Sequence, residues 1–290
     1  MMDTPFRFRN KTSVITSFHS GLWSISNHKD AKGTRIRKEK TARCSSWQYY
    51  STFVATIPFM RIDHRQNDEL RPVVVRRHFM ETTPGSVLIS AGKTTVLCSA
   101  SVVEELPKWM PKDSTEGWLT AEYRMLPGST NPRSPRSDKP DGRATEIQRL
   151  IGRSLRAVLD CKKMGPRTVY LDCDVLQADG GTRTLSITGA YIALVDAVRT
   201  LTLPESPIRD AVAAVSVGIV GGEPMLDLPY CEDFAAEVDM NLVMTGSGQF
   251  IEVQGTGEKG TFSETELAAL LALGKKGIRE LLEVQRKALE

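Results

Sequence analysis

The sequence predicts an α+β domain in which helices pack on mixed β-sheets. Three observations lead there. Short β-branched and apolar segments, broken by Gly and Pro turns, occupy residues 71–103. Two long segments with helical spacing follow, one carrying an apolar stripe and one apolar nearly all round. The elements also lack the strict β-α-β-α-β alternation that a doubly wound parallel sheet requires.

Taken in order, Pro72–His78 is β-rich, Pro84-Gly85 is a turn, Ser86–Ser90 is a short strand and Ala91-Gly92-Lys93 is a second turn. Thr94–Val103 is then a strand of mostly apolar and β-branched residues, so this part reads as an antiparallel meander. Residues 106–142 hold many Pro, Gly, Ser and Arg residues and read as a long loop. Within it Pro127–Gly142 cannot hold regular structure, because Pro removes donors and Gly costs entropy. Loops of this length inside a domain are often functional.

A first helix is expected over Thr145–Cys161, where Ile147, Leu150, Ile151, Leu155, Val158 and Leu159 make one apolar stripe. In the strand Thr168–Leu176, Val169, Leu171, Cys173 and Val175 face one way and Asp172 and Asp174 the other. The loop Gln177–Arg183 leads into a buried helix over Thr184–Thr200. Ala211–Val220 is a strand ended by Gly221-Gly222, and a short strand follows near Glu223–Leu228. Glu237–Met244 and Gln249–Gln254 form a hairpin about Gly246-Ser247-Gly248. Ser263-Glu264-Thr265-Glu266 is a capping box that opens a C-terminal helix, expected to break at Gly274 and Gly277 and to resume to Leu289.

Residues 1–59 read differently. Ser and Thr are frequent, acids are scarce, and 10 Lys and Arg stand against 3 Asp and Glu. An organelle transit peptide has this composition. Upstream sequence included through a wrong start codon would also give it, since Met60 stands directly before the ordered pattern. On either reading the segment is a disordered basic leader, and the folded domain spans 60–290. That domain carries 28 basic and 32 acidic residues. A nucleic-acid partner must therefore be held by a local arginine cluster rather than by the net field.

No window approaches 18 consecutive apolar residues, so a membrane span is not expected. The five cysteines, Cys44, Cys98, Cys161, Cys173 and Cys231, are odd in number and form no Cys-x-x-Cys pair. Neither a disulfide framework nor a zinc site is suggested, and a reducing compartment fits.

Two clusters carry chemistry. Gln177-Ala178-Asp179-Gly180-Gly181-Thr182-Arg183-Thr184 joins a strand to a buried helix. Its glycines let the backbone approach a ligand, the helix N-terminus adds donors and partial positive charge, and Thr182 and Arg183 add a hydroxyl and a guanidinium fork. Together they suit a small oxyanion; the alternative is a plain tight turn with Arg183 solvated. The Walker A pattern is absent. Arg143 works against the dipole at the start of the first helix, which points either to a bound anion or to an ion pair with Glu146. Asp233 and Asp239 form the second cluster, with Glu232 and Glu237 beside them. Asp239 interrupts the apolar run Val238, Met240, Leu242, Met244. Oxygen ligands at this density suit Mg²⁺ or Mn²⁺, while a solvated acidic turn is the plainer alternative.

These stretches resemble the bacterial ribonuclease PH family of phosphorolytic 3′-exoribonucleases. The match runs in order through Arg61–Asp63, Asn67–Val73, GWLTAEYRMLP (117–127), ATEIQRLIGRSLRA (144–157), LDCDVLQADGGTRTLSITGA (171–190), AAVSVGIV (213–220), EDFAAEVDMNLVMT (232–245) and IEVQGT (251–256). The resemblance implies a ribosomal protein S5 domain 2-like fold and a homohexamer, a trimer of dimers, in the cytoplasm. It implies an enzyme that trims tRNA precursors, and other structured RNAs, with inorganic phosphate as co-substrate. Arg143, Gly181, Thr182 and Arg183 resemble the family's phosphate-binding set, Asp233 and Asp239 its catalytic and metal-linked carboxylates, and Arg133 and Arg136 the arginines that guide the RNA 3′ end. Departures lie in the start and the RNA loop. His64 replaces a Gly, Gly128 replaces an Arg, Ala144 replaces a Thr, and about three residues are missing between Arg136 and Arg143. The rival readings are the catalytic ring subunit of an archaeal-type exosome and a non-catalytic RNA-binding ring subunit.

Overall fold

A computed structural model describes residues 61–136 and 141–290; the basic leader lies outside the described residues. The first sheet has the order β1-β2-β3-β5-β4, built from β1 (Val73–Arg77), β2 (Gly85–Ala91), β3 (Thr94–Val103), β4 (Trp118–Met125) and β5 (Thr168–Gln177). All its pairings are antiparallel except β4 with β5. The helix α1 (Gly142–Val158) makes the crossover between those two parallel strands. The second sheet has the order β7-β6-β8-β9, antiparallel throughout, from β6 (Val212–Val220), β7 (Glu223–Leu226), β8 (Val238–Thr245) and β9 (Phe250–Gly257). The fold is α+β, as expected.

The helix α2 (Thr182–Arg199) packs on β2 and β3 of the first sheet and on β6 of the second. This explains why it is apolar nearly all round: sixteen of its 18 residues, all but Arg183 and Arg199, are buried. The helix α4 (Glu264–Leu289) covers β6, β7 and β8. The Ser263 side chain accepts from the Glu266 N–H at 3.3 Å, and the Glu266 carboxylate accepts from the Ser263 N–H at 2.6 Å, which completes the expected capping box.

Four expectations change. The segment 106–142 is not all loop, because it contains β4. Leu119, Ala121 and Tyr123 alternate inward there, a period-2 pattern masked by the Pro and Gly around it. The first helix starts at Gly142, three residues early, because Asp141 caps it by accepting from the Ala144 N–H at 2.7 Å; it ends at Val158 rather than Cys161. The second helix starts at Thr182 rather than Thr184. Finally, α4 runs through Gly274 and Gly277 without a break. A Cβ at Gly274 would lie 1.9 Å from Leu242 Cδ1, so these glycines let the helix approach the sheet closely.

Candidate active site

The glycine loop between β5 and α2 is shaped from behind. Gly180 and Gly181 both adopt left-handed backbone, with φ of 74° and 66°, a conformation that costs a residue with a Cβ. Thr94 Oγ1 donates to the Gly180 carbonyl at 2.7 Å and accepts from the Asp179 N–H at 3.0 Å. Buried Arg71 donates from Nη1 to the Asp179 carbonyl at 2.6 Å and is itself gripped by Asp227. With its carbonyls tied back, the loop turns the start of α2 toward the cavity. The first intrahelical bond is Leu185 N–H to the Gly181 carbonyl, which leaves the N–H groups of Thr182, Arg183 and Thr184 ahead of it.

Thr182 is buried and its Oγ1 accepts from the Tyr123 hydroxyl at 2.8 Å. Arg183 is half-buried; its Nη1 donates to Gln254 Oε1 at 2.6 Å and reaches Glu146 Oε1 at 3.4 Å. Glu146 thus pairs with Arg183, and the alternative pairing with Arg143 does not form. Arg143 is exposed on the first turn of α1 and makes no ion pair among the described residues.

Asp233 sits on a short helix, α3 (Tyr230–Ala235), and Asp239 on β8 opposite Gly218 of β6. Burial pushes both carboxyls up. Asp239 reaches about 6, driven first by burial and then by the Asp233 charge, with Arg183 pulling the other way. For Asp233, Arg143 and Arg183 oppose the burial. The two neighbouring glutamates serve the frame. Glu232 is buried in an ion pair with Arg61 at 2.6 Å, and Glu237 Oε2 accepts from the Gly222 N–H at 3.4 Å.

One cavity of about 500 Å³ is lined by Arg143, Gly181, Thr182, Arg183, Asp233 and Asp239 together. Sequence reasoning did not find its other lining groups, among them Ser216, Asn241, Glu258 and Lys259; Asn241 lies two residues from Asp239 on β8, Ser216 comes from β6, and Glu258 and Lys259 follow β9. A second cavity of about 380 Å³ shares Arg143, Gly181, Thr182 and Asp233 and extends past Asn131, Pro132 and Tyr230. Tyr230 is 61% exposed and Phe234 77% exposed, with ring centroids 6.2 Å apart, at the rims of the two cavities. Arg133 and Arg136 line neither cavity and stand exposed on the loop just beyond Pro132. His64, where the resemblance expects Gly, takes φ of 61°, so the left-handed turn persists with a bulkier residue in it.

Among the described residues, no helix is long and apolar enough to cross a membrane. Residues 69–199 match the first domain of a 3′ exoribonuclease family model, and residues 210–277 match the second. Ribonuclease PH of Rhodopirellula baltica is 56% identical over 236 residues, covering 78% of this chain and 96% of that protein. Ribonuclease PH of Listeria monocytogenes is 54% identical over 238 residues, covering 79% and 96%. A chain of the Archaeoglobus fulgidus exosome, solved with RNA bound to the active site, aligns with a TM-score of 0.68 at 23% identity, covering 78% of this chain and 92% of that one. Rice Rrp46 aligns with a TM-score of 0.65 at 19% identity, covering 79% and 100%. The last two likenesses establish the fold alone, whereas the first two run at more than twice that identity over nearly whole proteins. The chain belongs to the ribonuclease PH family of phosphate-dependent 3′ exoribonucleases.

Proposed function

We propose that Arg143, Gly181, Thr182 and Arg183 hold inorganic phosphate in the larger cavity, while Asp233 and Asp239 serve the terminal phosphodiester of an RNA 3′ end. One observation carries this reading: all six residues line a single cavity, although they come from α1, the glycine loop, α2, α3 and β8.

Phosphate and phosphodiester are both anions, so most of the work lies in positioning them and cancelling charge. The N–H groups at the start of α2 and the Thr182 hydroxyl orient the phosphate, and the two guanidinium groups neutralise it. A phosphate oxygen attacks the terminal phosphorus in line as the bond to the upstream 3′ oxygen breaks, releasing a nucleoside diphosphate. The departing oxygen takes a proton, and Asp239, held near pH 6, is suited to give it.

The donor set also fits a hard divalent cation. After burial, the Asp233 charge adds to the raised proton affinity of Asp239, and among the described residues no cluster of three or more His, Cys, Asp or Glu could hold a metal unaided. Two carboxylates completed by substrate phosphate oxygens suit Mg²⁺ or Mn²⁺. Such a cation would add charge neutralisation at the scissile phosphate; Asp239 is then either its principal ligand or the proton donor.

The faces of Tyr230 and Phe234 and the charges of Arg133 and Arg136 offer stacking and phosphate contacts to the strand entering the cavity. We take residues 60–290 as the working domain, tRNA precursors as the substrate, a hexameric trimer of dimers as the assembly and the cytoplasm as the location. Free Cys98, Cys161, Cys173 and Cys231 agree with a reducing compartment. Incubating a tRNA precursor with and without inorganic phosphate tests the reaction. Nucleoside diphosphates should form only with phosphate, and release of monophosphates without it would refute the proposal. Sedimentation of the purified protein tests the hexamer.

A further inference from the structure

The wiring of one hydroxyl points past the six cavity residues to β4. Tyr123 is 2% exposed, the last fully buried side chain of that strand, and its hydroxyl donates to Thr182 Oγ1 at 2.8 Å. A threonine hydroxyl has one proton to give and two lone pairs. Its neighbours on α2 spend that proton on backbone: Thr184 on the Gly181 carbonyl at 2.9 Å, Ser186 on the Thr182 carbonyl at 2.8 Å, Thr188 on the Thr184 carbonyl at 3.1 Å. Thr182, the first residue of the helix, has no helical carbonyl four residues back to use. Among the described residues its Oγ1 accepts a hydrogen bond from the Tyr123 hydroxyl and donates its own to no protein acceptor.

We infer that Tyr123 is a positioning residue: by occupying a lone pair of Thr182, it turns the Thr182 proton into the cavity as a donor to phosphate. The reverse wiring, with Thr182 donating to Tyr123, would present oxygen lone pairs to an anion. Two features keep the wiring in place. Burial holds the phenol protonated beyond the ordinary tyrosine range, although the hydrogen bond to Thr182 and then Arg143 and Arg183 pull against it. In addition, β4 is hydrogen-bonded along its length to β5, the strand that feeds the glycine loop, with Tyr123 opposite Cys173, so the phenol and the loop share one rigid support. The inference rests on the reading of Thr182 as a phosphate ligand.

A double-mutant cycle separates the two claims. Tyr123→Phe, Thr182→Val and the double variant are assayed for KM toward phosphate, KM toward RNA and kcat. Thr182→Val, and Tyr123→Phe with it, should raise the phosphate KM about tenfold, the scale of a hydrogen bond to a charged group. The RNA KM should stay within twofold. The double variant should be no worse than Thr182→Val alone, because without the threonine hydroxyl there is nothing left to orient. Thr182→Ser, which keeps the hydroxyl, should retain the Tyr123→Phe effect. Melting temperatures without phosphate report any general loss of structure, and the increment that phosphate adds reports the site itself. If Thr182→Val raises the phosphate KM while Tyr123→Phe leaves it unchanged, or if the two effects simply multiply, the positioning role is overturned and the phosphate site stands. If Thr182→Val itself has no effect on phosphate, the phosphate-ligand reading falls and this inference falls with it.

Discussion

Arg71 and Asp227 form a two-pronged ion pair behind the glycine loop, Nη2 to Oδ1 at 2.6 Å and Nε to Oδ2 at 3.0 Å, and the Arg71 N–H adds a third contact to Oδ2 at 2.8 Å. Both residues are buried, and the Arg71 charge holds the Asp227 carboxyl below the usual range against its burial. Asp227 adopts φ of 54°, unusual for a residue with a side chain. Neither residue lines the larger cavity, yet the free Nη1 of Arg71 is what ties back the Asp179 carbonyl.

Breaking this pair should therefore harm both stability and phosphate binding. Asp227→Ala leaves a buried guanidinium without its partner, which costs about 3–5 kcal/mol. Urea unfolding of the variant should show a lower midpoint, and the phosphate KM of the surviving folded enzyme should rise as the loop loses its anchor. Arg71→Lys should not restore either property, because an ammonium cannot grip a carboxylate with two prongs while holding a carbonyl. A variant with wild-type midpoint and phosphate KM would remove Arg71 from any supporting role.

Asp239 gives a pH prediction with a definite sign. Its carboxyl rises from the ordinary 3.8 to about 6, so the folded chain holds a proton there that the unfolded chain has released. Stability from this site is complete below pH 4 and is lost as pH rises through about 6. Asp239→Asn should abolish phosphorolysis yet raise the melting temperature at pH 7.5, by on the order of 1–3 kcal/mol of stability, with no gain below pH 4. Thermal melts across that range check it. The activity of the unaltered enzyme divides the two roles left open for Asp239. A rate that falls above pH 6 assigns it the proton for the leaving oxygen, and a rate that rises through pH 6 assigns it to the cation.

How far the sequence reached depends on where the interacting residues lie in the chain. Gly180 to Arg183 are contiguous, and Asp233 and Asp239 are six apart, so their chemistry could be read directly from the chain. Arg71 with Asp227, Arg61 with Glu232 and Tyr123 with Thr182 are separated by 156, 171 and 59 positions, and only the folded chain brings them together. Glu232 neighbours Asp233 in the sequence, but its side chain is buried against Arg61 and does not line the larger cavity. The strand β4 carries a readable alternation at Leu119, Ala121 and Tyr123, set within a segment whose Pro and Gly content favours a loop. At Gly274 and Gly277 the error ran the other way, since local propensity suggested a break where packing required a missing side chain.

That packing requirement is testable. Gly274→Ala should gain up to about 1 kcal/mol of helix propensity in isolation. In the fold its Cβ would lie 1.9 Å from Leu242 Cδ1, and Leu242 is fully buried on β8, so its side chain would have to shift within the core. Overpacking of this kind costs about 1–3 kcal/mol, so the net effect should be destabilising. Pairing it with Leu242→Val should recover part of the loss, because the shorter side chain withdraws the clashing carbon. A lone Gly274→Ala variant more stable than the parent in urea would show that α4 can slide on the sheet.

Arg183 is the residue on which the phosphate reading presses hardest. Its fork rests on Gln254 and Glu146, both accepting through Oε1. An incoming phosphate must draw the fork from these partners and repel the Glu146 carboxylate as it enters. Arg183→Ala should lose a contact that strengthens in the transition state, about 3–4 kcal/mol or roughly 10²–10³ in kcat/KM. Arg183→Lys should recover only part, since an ammonium cannot offer parallel donors to two phosphate oxygens. Glu146→Gln should act in the opposite direction: it removes a competing charge while keeping a hydrogen-bond acceptor for the resting state, and the phosphate KM should fall by a small factor. The three variants assayed side by side with a tRNA precursor at several phosphate concentrations make the comparison. Near-parental turnover by Arg183→Ala would leave the cavity without its principal anion partner, and the phosphate would have to be placed elsewhere.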